Sequence, residues 1–98
     1  MIRHILLIKF KSSIEPFHIE NIKSLFESMP EKIEGVISVE WGINDSPEGL
    51  NNGFTHAVVM TFVDEAARQF YLPHPEHEAL KQVFVPLLDG IVVFDYSL

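Results

Sequence analysis

The sequence predicts an α+β fold of the ferredoxin-like type: a βαββαβ chain forming a four-stranded antiparallel sheet with helices on one face, paired with a second copy into a dimeric α/β barrel. Three observations predict it. Four apolar, strand-like stretches, 2–11, 36–43, 54–63 and 91–96, stand out, the first and third with two distinct faces at period two, and apolar residues recur at helical spacing between them. The periods follow the order strand, helix, strand, strand, helix, strand, which is the split βαβ arrangement. The alternating stretches are also apolar on both faces in places, more than helices on one side can cover.

Ile2–Lys11 places Ile2, His4, Leu6, Ile8 and Phe10 on one face and Arg3, Ile5, Leu7, Lys9 and Lys11 on the other. Both faces are apolar at mid-strand, as a central strand requires. Glu15-Pro16 opens a helix, since proline is tolerated in a first turn. Ile19, Ile22, Leu25, Phe26 and Met29 then form an apolar stripe opposite Glu20, Lys23 and Glu27, and Pro30 is expected to end it. Glu31–Gly35 connects to a second strand, Val36–Ile43. Asn44–Gly53 is a loop with a hairpin-type Asn52-Gly53 turn.

Phe54–Val63 is the third strand, with Phe54, His56, Val58, Met60 and Phe62 on one side and Thr55, Ala57, Val59 and Thr61 on the other. Asp64 caps a short helix, Glu65–Tyr71, which Pro73-His74-Pro75 breaks. Pro75 starts a further helix running to about Val85, with Ala79, Leu80, Val83 and Phe84 as its apolar stripe. Leu87-Leu88-Asp89-Gly90 is expected to turn the chain into a last strand, Ile91–Tyr96.

With 98 residues the chain is expected to be one domain, 1–98. A body of this size buries only about 60–65% of its unfolded surface. Yet 47% of the residues are hydrophobic and eight are Phe, so part of the apolar surface is expected to meet a second subunit. Ile5, Leu7, Ala57 and Val59, on the faces turned away from the helices, predict a homodimer through the open sheet face. The chain lacks Cys, an apolar run near the ~20 residues of a membrane span, and a signal-peptide cleavage region. It is therefore expected to be cytoplasmic, with no membrane partner. A net charge of −7 with scattered lysines argues against nucleic acid.

Proton-handling chemistry is concentrated in Phe70-Tyr71-Leu72-Pro73-His74-Pro75-Glu76-His77. Tyr71 and His77 are the candidate catalytic pair. A phenol near its ordinary pKa of about 10 donates a hydrogen bond to a carbonyl oxygen as it becomes an enolate. An imidazole in the first turn of a helix is kept neutral by the helix dipole, the state a general base needs. Strand parity turns His4 and His56 to the helix side with Leu6, Val58 and Met60, and these, with His74, make the expected pocket.

Plainer roles compete. His74 suits a turn or cap, Tyr71 a core position, and His4 with His56 a satisfied polar spot. His4, His56, His74, Glu76 and His77 superficially resemble a metal-ligand set, but the spacing is loose and no second motif supports it. No metal and no cofactor are expected, and the glycines of 49–53 make no phosphate loop because no helix follows them.

His4, the loop Ser46–Ala57, the segment Tyr71–His77 and the closing Phe94-Asp95-Tyr96 together resemble the stress-responsive dimeric α/β-barrel (Dabb) domain family, over essentially the whole chain. That resemblance implies the fold and the dimer. The family spans stress-associated plant proteins, bacterial proteins of unknown role and a plant polyketide cyclase. The cyclase uses a Tyr and a His at the places of Tyr71 and His77, with further pocket histidines at those of His4 and His56. Two functions are then expected in competition: a stress-responsive A/B-barrel homodimer with an apolar pocket for a small organic ligand, or a cofactor-independent polyketide cyclase or lyase-like enzyme. Leu72-Pro73 and the helix residues around the pocket differ from the cyclase's, so its substrate does not carry over.

Overall fold

The computed structural model describes every residue, Met1–Leu98. Four strands, β1 (Ile2–Phe10), β2 (Val36–Ile43), β3 (His56–Phe62) and β4 (Leu88–Ser97), alternate with α1 (Pro16–Glu27), α2 (Met29–Lys32), α3 (Glu65–Tyr71) and α4 (Pro75–Phe84). The sheet order is β2-β3-β1-β4, and every neighbouring pair is antiparallel. This is the ferredoxin-like arrangement.

α1, α3 and α4 each begin where a local side chain satisfies a free N–H group. Glu15 and His18 form a reciprocal capping box ahead of α1, with Pro16 in the first turn. Asp64 Oδ1 accepts the Ala67 N–H at 2.9 Å to start α3. Pro30 does not simply end the first helix. α1 stops at Glu27, and Pro30 sits in the first turn of the short α2, where a missing N–H costs nothing.

The last strand begins earlier than the sequence indicates. Leu88 pairs with Phe10 and Gly90 with Lys9, across a register shift between Lys9 and Phe10. Asp89-Gly90 resembles a turn in sequence, but β1 offers a full-length partner and draws these residues into the ladder. β3, conversely, begins at His56 and leaves Phe54 and Thr55 in the preceding loop.

Residues directly opposite across an antiparallel pair share a face. Ile2, Leu6 and Ile8 therefore lie with Phe62, Val58 and Met60 beneath the helices, where Ile22, Phe26, Met29, Tyr71, Leu80 and Phe84 complete the core. The other face carries Ile5 and Leu7 with Val59 and Ala57, then Phe94 and Val92 across the β1–β4 ladder. Within one chain Leu7, Val92, Phe94 (61%) and Tyr96 on this face are exposed.

The helices lean toward one side of the sheet. α1 and α2 rest on β2, α3 on β2 and β3, and α4 against α1. The helix-side residues of β4 are left uncovered, so Ile91 and Val93 (57%) stay exposed although they face the helical layer. The trough between α4 and β4 is a direct result. No helix is long and apolar enough to cross a membrane.

Candidate functional site

The α4–β4 trough encloses a cavity of about 340 Å³, within the range of small-molecule pockets. Its walls are mostly apolar, with Leu6 from β1, Phe26 from α1, Leu80 and Phe84 from α4, and Ile91 and Val93 from β4. His4, Tyr71, His77 and Lys81 supply the polar groups.

Tyr71 ends α3 and is 1% exposed. Its ring packs 5.1 Å from Phe62 and 4.2 Å from His77, centroid to centroid. The hydroxyl makes no hydrogen bond within the chain, yet no buried side-chain polar atom is left unpaired, so this oxygen opens onto the cavity. Burial pushes the phenol well above its usual range, so it remains a donor.

His77 lies in the first turn of α4, and its Nδ1 is 2.8 Å from the Leu72 carbonyl oxygen. A carbonyl only accepts, so Nδ1 carries the proton and Nε2 of the neutral ring keeps its lone pair. Burial is the main reason its pKa is depressed. The Lys81 charge and His4 add to the depression, and the Leu72 hydrogen bond and Glu78 oppose it. The neutral state expected from the helix dipole is thus secured chiefly by burial.

His4 is buried on β1 directly opposite Asp95 of β4. Its Nδ1–H donates to Asp95 Oδ1 at 2.7 Å, and Arg68 Nη1 donates to the other carboxylate oxygen at 3.1 Å. Arg68 also pairs with Glu65 in the preceding turn of α3. This chain of charges fixes the ring of His4 at the cavity wall and settles its tautomer when neutral. No sequence pattern marks out Asp95 or Arg68 as functional. The available signal was an acid in an apolar strand, placed opposite a histidine by antiparallel pairing.

The structure does not bring together all the expected pocket residues. His4, Leu6, Tyr71 and His77 share the cavity. Val58 and Met60 are completely buried in the core beneath it. His56 shares the helix-side face with His4 but pairs with Ile8, four residues further along β1, about 13 Å away. There it bonds Thr55 Oγ1 through Nδ1 at 2.7 Å and packs against Phe10 and Trp41. Burial lowers its pKa. His74 is the N-cap of α4: its Nδ1 accepts the Glu76 N–H at 3.1 Å, and its ring meets Phe70 edge-on. Pro75 at the first helical position fixes it in that role.

A second cavity of about 400 Å³ lies under the loop before β3, between Ile43, Leu50, Phe54 and Val92. His56 is its only imidazole. It is the larger space, but it lacks the converging phenol and imidazoles, so the α4–β4 cavity is the stronger candidate. No three His, Asp or Glu side chains are arranged to hold a metal ion.

The depressed pKa of His77 and His56 sets a pH dependence. On acidification the unfolded chain takes up protons first, because its histidines titrate near the ordinary 6.5. Stability from these groups is therefore complete above that pH and is lost as pH falls through their lower folded values. Urea unfolding should show a decline below about pH 6.5 that His77→Gln makes shallower. Equal slopes in the two proteins would contradict this assignment.

Comparison with known proteins agrees with this architecture. Residues 2–98 match the Stress responsive A/B Barrel Domain (Dabb) family. The stress-response A/B barrel domain-containing protein HS1 of Arabidopsis thaliana is 33% identical over 96 residues, 98% of this chain and 88% of its own. Olivetolic acid cyclase of Cannabis sativa is 26% identical over 96 residues, 98% and 95% of the two chains. Among solved structures, hydroxynitrile lyase from Passiflora edulis superposes with a TM-score of 0.91 at 27% identity, covering 97% of this chain and 90% of its own. A dimeric ferredoxin-like protein of unknown function from Thermobifida fusca gives 0.81 at 26% identity, covering 99% and 90%. With the match running from the second residue to the last, on a fold of the same kind, this chain belongs to the stress-responsive A/B barrel domain family.

Proposed function

We propose that the chain, acting as one domain over 1–98, is a cytoplasmic homodimer that binds a small apolar organic ligand between α4 and β4. The observation that carries this reading is a mostly apolar cavity in which the Tyr71 hydroxyl and the His77 Nε2 have no partner within the chain. A ligand oxygen could satisfy both. The dimer would form through the open sheet face and leave this cavity free, because it lies on the opposite side of the sheet. Val93→Trp should test the binding reading, since Val93 lines the mouth and is exposed, so a larger ring there fills space without disturbing the core. Fluorescence enhancement of a small apolar dye should be lost in that variant. Unchanged dye binding would contradict the site.

A second reading is cofactor-independent acid–base catalysis, favoured by the pairing of His77 with Tyr71 and by the similarity to a cyclase and a lyase. His77 Nε2 would remove a proton from carbon beside a carbonyl, while the Tyr71 hydroxyl donates a hydrogen bond to the developing enolate oxygen. The enolate carbon would attack a second carbonyl in the same molecule. The His77 imidazolium would then return its proton to the new alkoxide. The sequence closes a ring with no net gain or loss of protons. His77→Ala should slow deuterium exchange at the acidic carbon of a β-ketoester by at least about a hundredfold. Exchange at the unmodified rate would remove the catalytic reading and leave the binding one standing.

A further inference from the structure

The cavity wall holds one side chain with a permanent charge. Lys81 lies one helical turn after His77, at i+4 on the same face of α4, and lines the cavity beside Leu80 and Phe84. Its side chain is partly exposed, so the alkyl stem can follow the apolar wall while the ammonium stays at the rim. No carboxylate lines the cavity with it, since Asp95 lies behind His4. The setting is unusual for a chain with 14 acidic residues against 7 lysines and arginines, whose overall field repels anions. The only counter-charge on Lys81 is Glu78, 2.7 Å away in an i,i+3 pair that is half exposed on both sides. An exposed pair of this kind is a weak tether that leaves the ammonium able to turn inward.

We infer that Lys81 is a specificity-determining residue for an anionic head group: the cavity takes a small amphipathic carboxylate, its apolar part against Leu6, Phe26 and Leu80 and its carboxylate on the Lys81 ammonium. The inference rests on the ligand-binding reading above and adds the chemical class of the ligand. A neutral alcohol of the same shape keeps the apolar contacts and the hydrogen bonds to Tyr71 and His77, but gains nothing from the Lys81 charge. A cationic one meets Lys81 as a like charge.

Octanoate, octan-1-ol and octylammonium are suitable probes, because they share one tail and differ in head-group charge. In calorimetric titration at neutral pH, octanoate should bind more tightly than octan-1-ol, and octylammonium most weakly. Lys81→Met keeps the length and apolar character of the side chain. It should weaken octanoate about five- to tenfold and leave octan-1-ol unchanged, the alcohol also reporting that the variant is folded. Lys81→Arg should restore octanoate binding. Glu78→Gln, which removes the competing carboxylate, should strengthen it, an effect that a purely structural Lys81–Glu78 pair would not produce. Equal loss of both probes in Lys81→Met, or loss of neither, would overturn the head-group role while octan-1-ol binding by the unmodified protein upheld the cavity. If neither octanoate nor octan-1-ol binds the unmodified protein, the binding reading fails and takes this inference with it.

Discussion

Ile5→Glu should leave the protein monomeric at concentrations where the unmodified chain should sediment as a dimer. Ile5 sits mid-strand in β1 between Val59 and Phe94, on the face with no helix above it. Leu7, Val92, Phe94 and Tyr96 surround it as exposed apolar side chains, a patch that a second sheet can cover. In a two-fold pairing every substitution occurs twice, so two carboxylates would enter the same interface. Burying a charge without a partner costs at least about 3 kcal/mol, more than a hundredfold in the dissociation constant. Val83→Glu, placed on an exposed part of α4, is the control and should leave the dimer intact. A monomeric unmodified protein, or a dimeric Ile5→Glu variant, would contradict the open-face dimer.

Tyr71 should separate core packing from cavity chemistry in one experiment. Truncation to alanine removes a ring packed against Phe62, His77 and His4 and should cost about 3–5 kcal/mol of unfolding free energy. Tyr71→Phe keeps that ring and deletes a hydroxyl without a hydrogen bond inside the chain. Its cost should stay within about 0.5 kcal/mol, because no internal partner is orphaned. Urea unfolding at one fixed protein concentration is the appropriate measurement, since a dimer would couple stability to concentration. A loss of about 1–1.5 kcal/mol in Tyr71→Phe would mean the hydroxyl is a structural anchor. A neutral stability effect together with lost ligand affinity would place it at the site.

Strand parity made most of the fold legible. The alternation in 2–11 and 54–63 separates a helix-covered face from an open one, and the structure has Ile2, Leu6, Ile8, Val58, Met60 and Phe62 buried as that alternation requires. Parity does not report distance along a strand. His4 and His56 share a face, but register sets them four residues apart, and only pairing partners reveal that. The same limit hid Asp95, whose importance comes from standing opposite His4 across the β1–β4 ladder. Asp89-Gly90 favours a turn locally, whereas the pairing with β1 that draws Leu88–Gly90 into the last strand is a tertiary influence. His74 shows the opposite case, a role fixed locally: a histidine just before a helix-opening proline becomes the N-cap. The α4–β4 opening itself comes from the lean of the helices toward β2, which no pattern in the chain encodes.

The most direct measurement is a methyl NMR footprint of a small apolar probe such as octan-1-ol. If the α4–β4 cavity is the site, methyl signals of Leu6, Leu80 and Val93 shift on titration while those of Ile43 and Leu50 remain still. Shifts confined to Ile43, Leu50 and Val92, which line the loop-side cavity, would contradict the account.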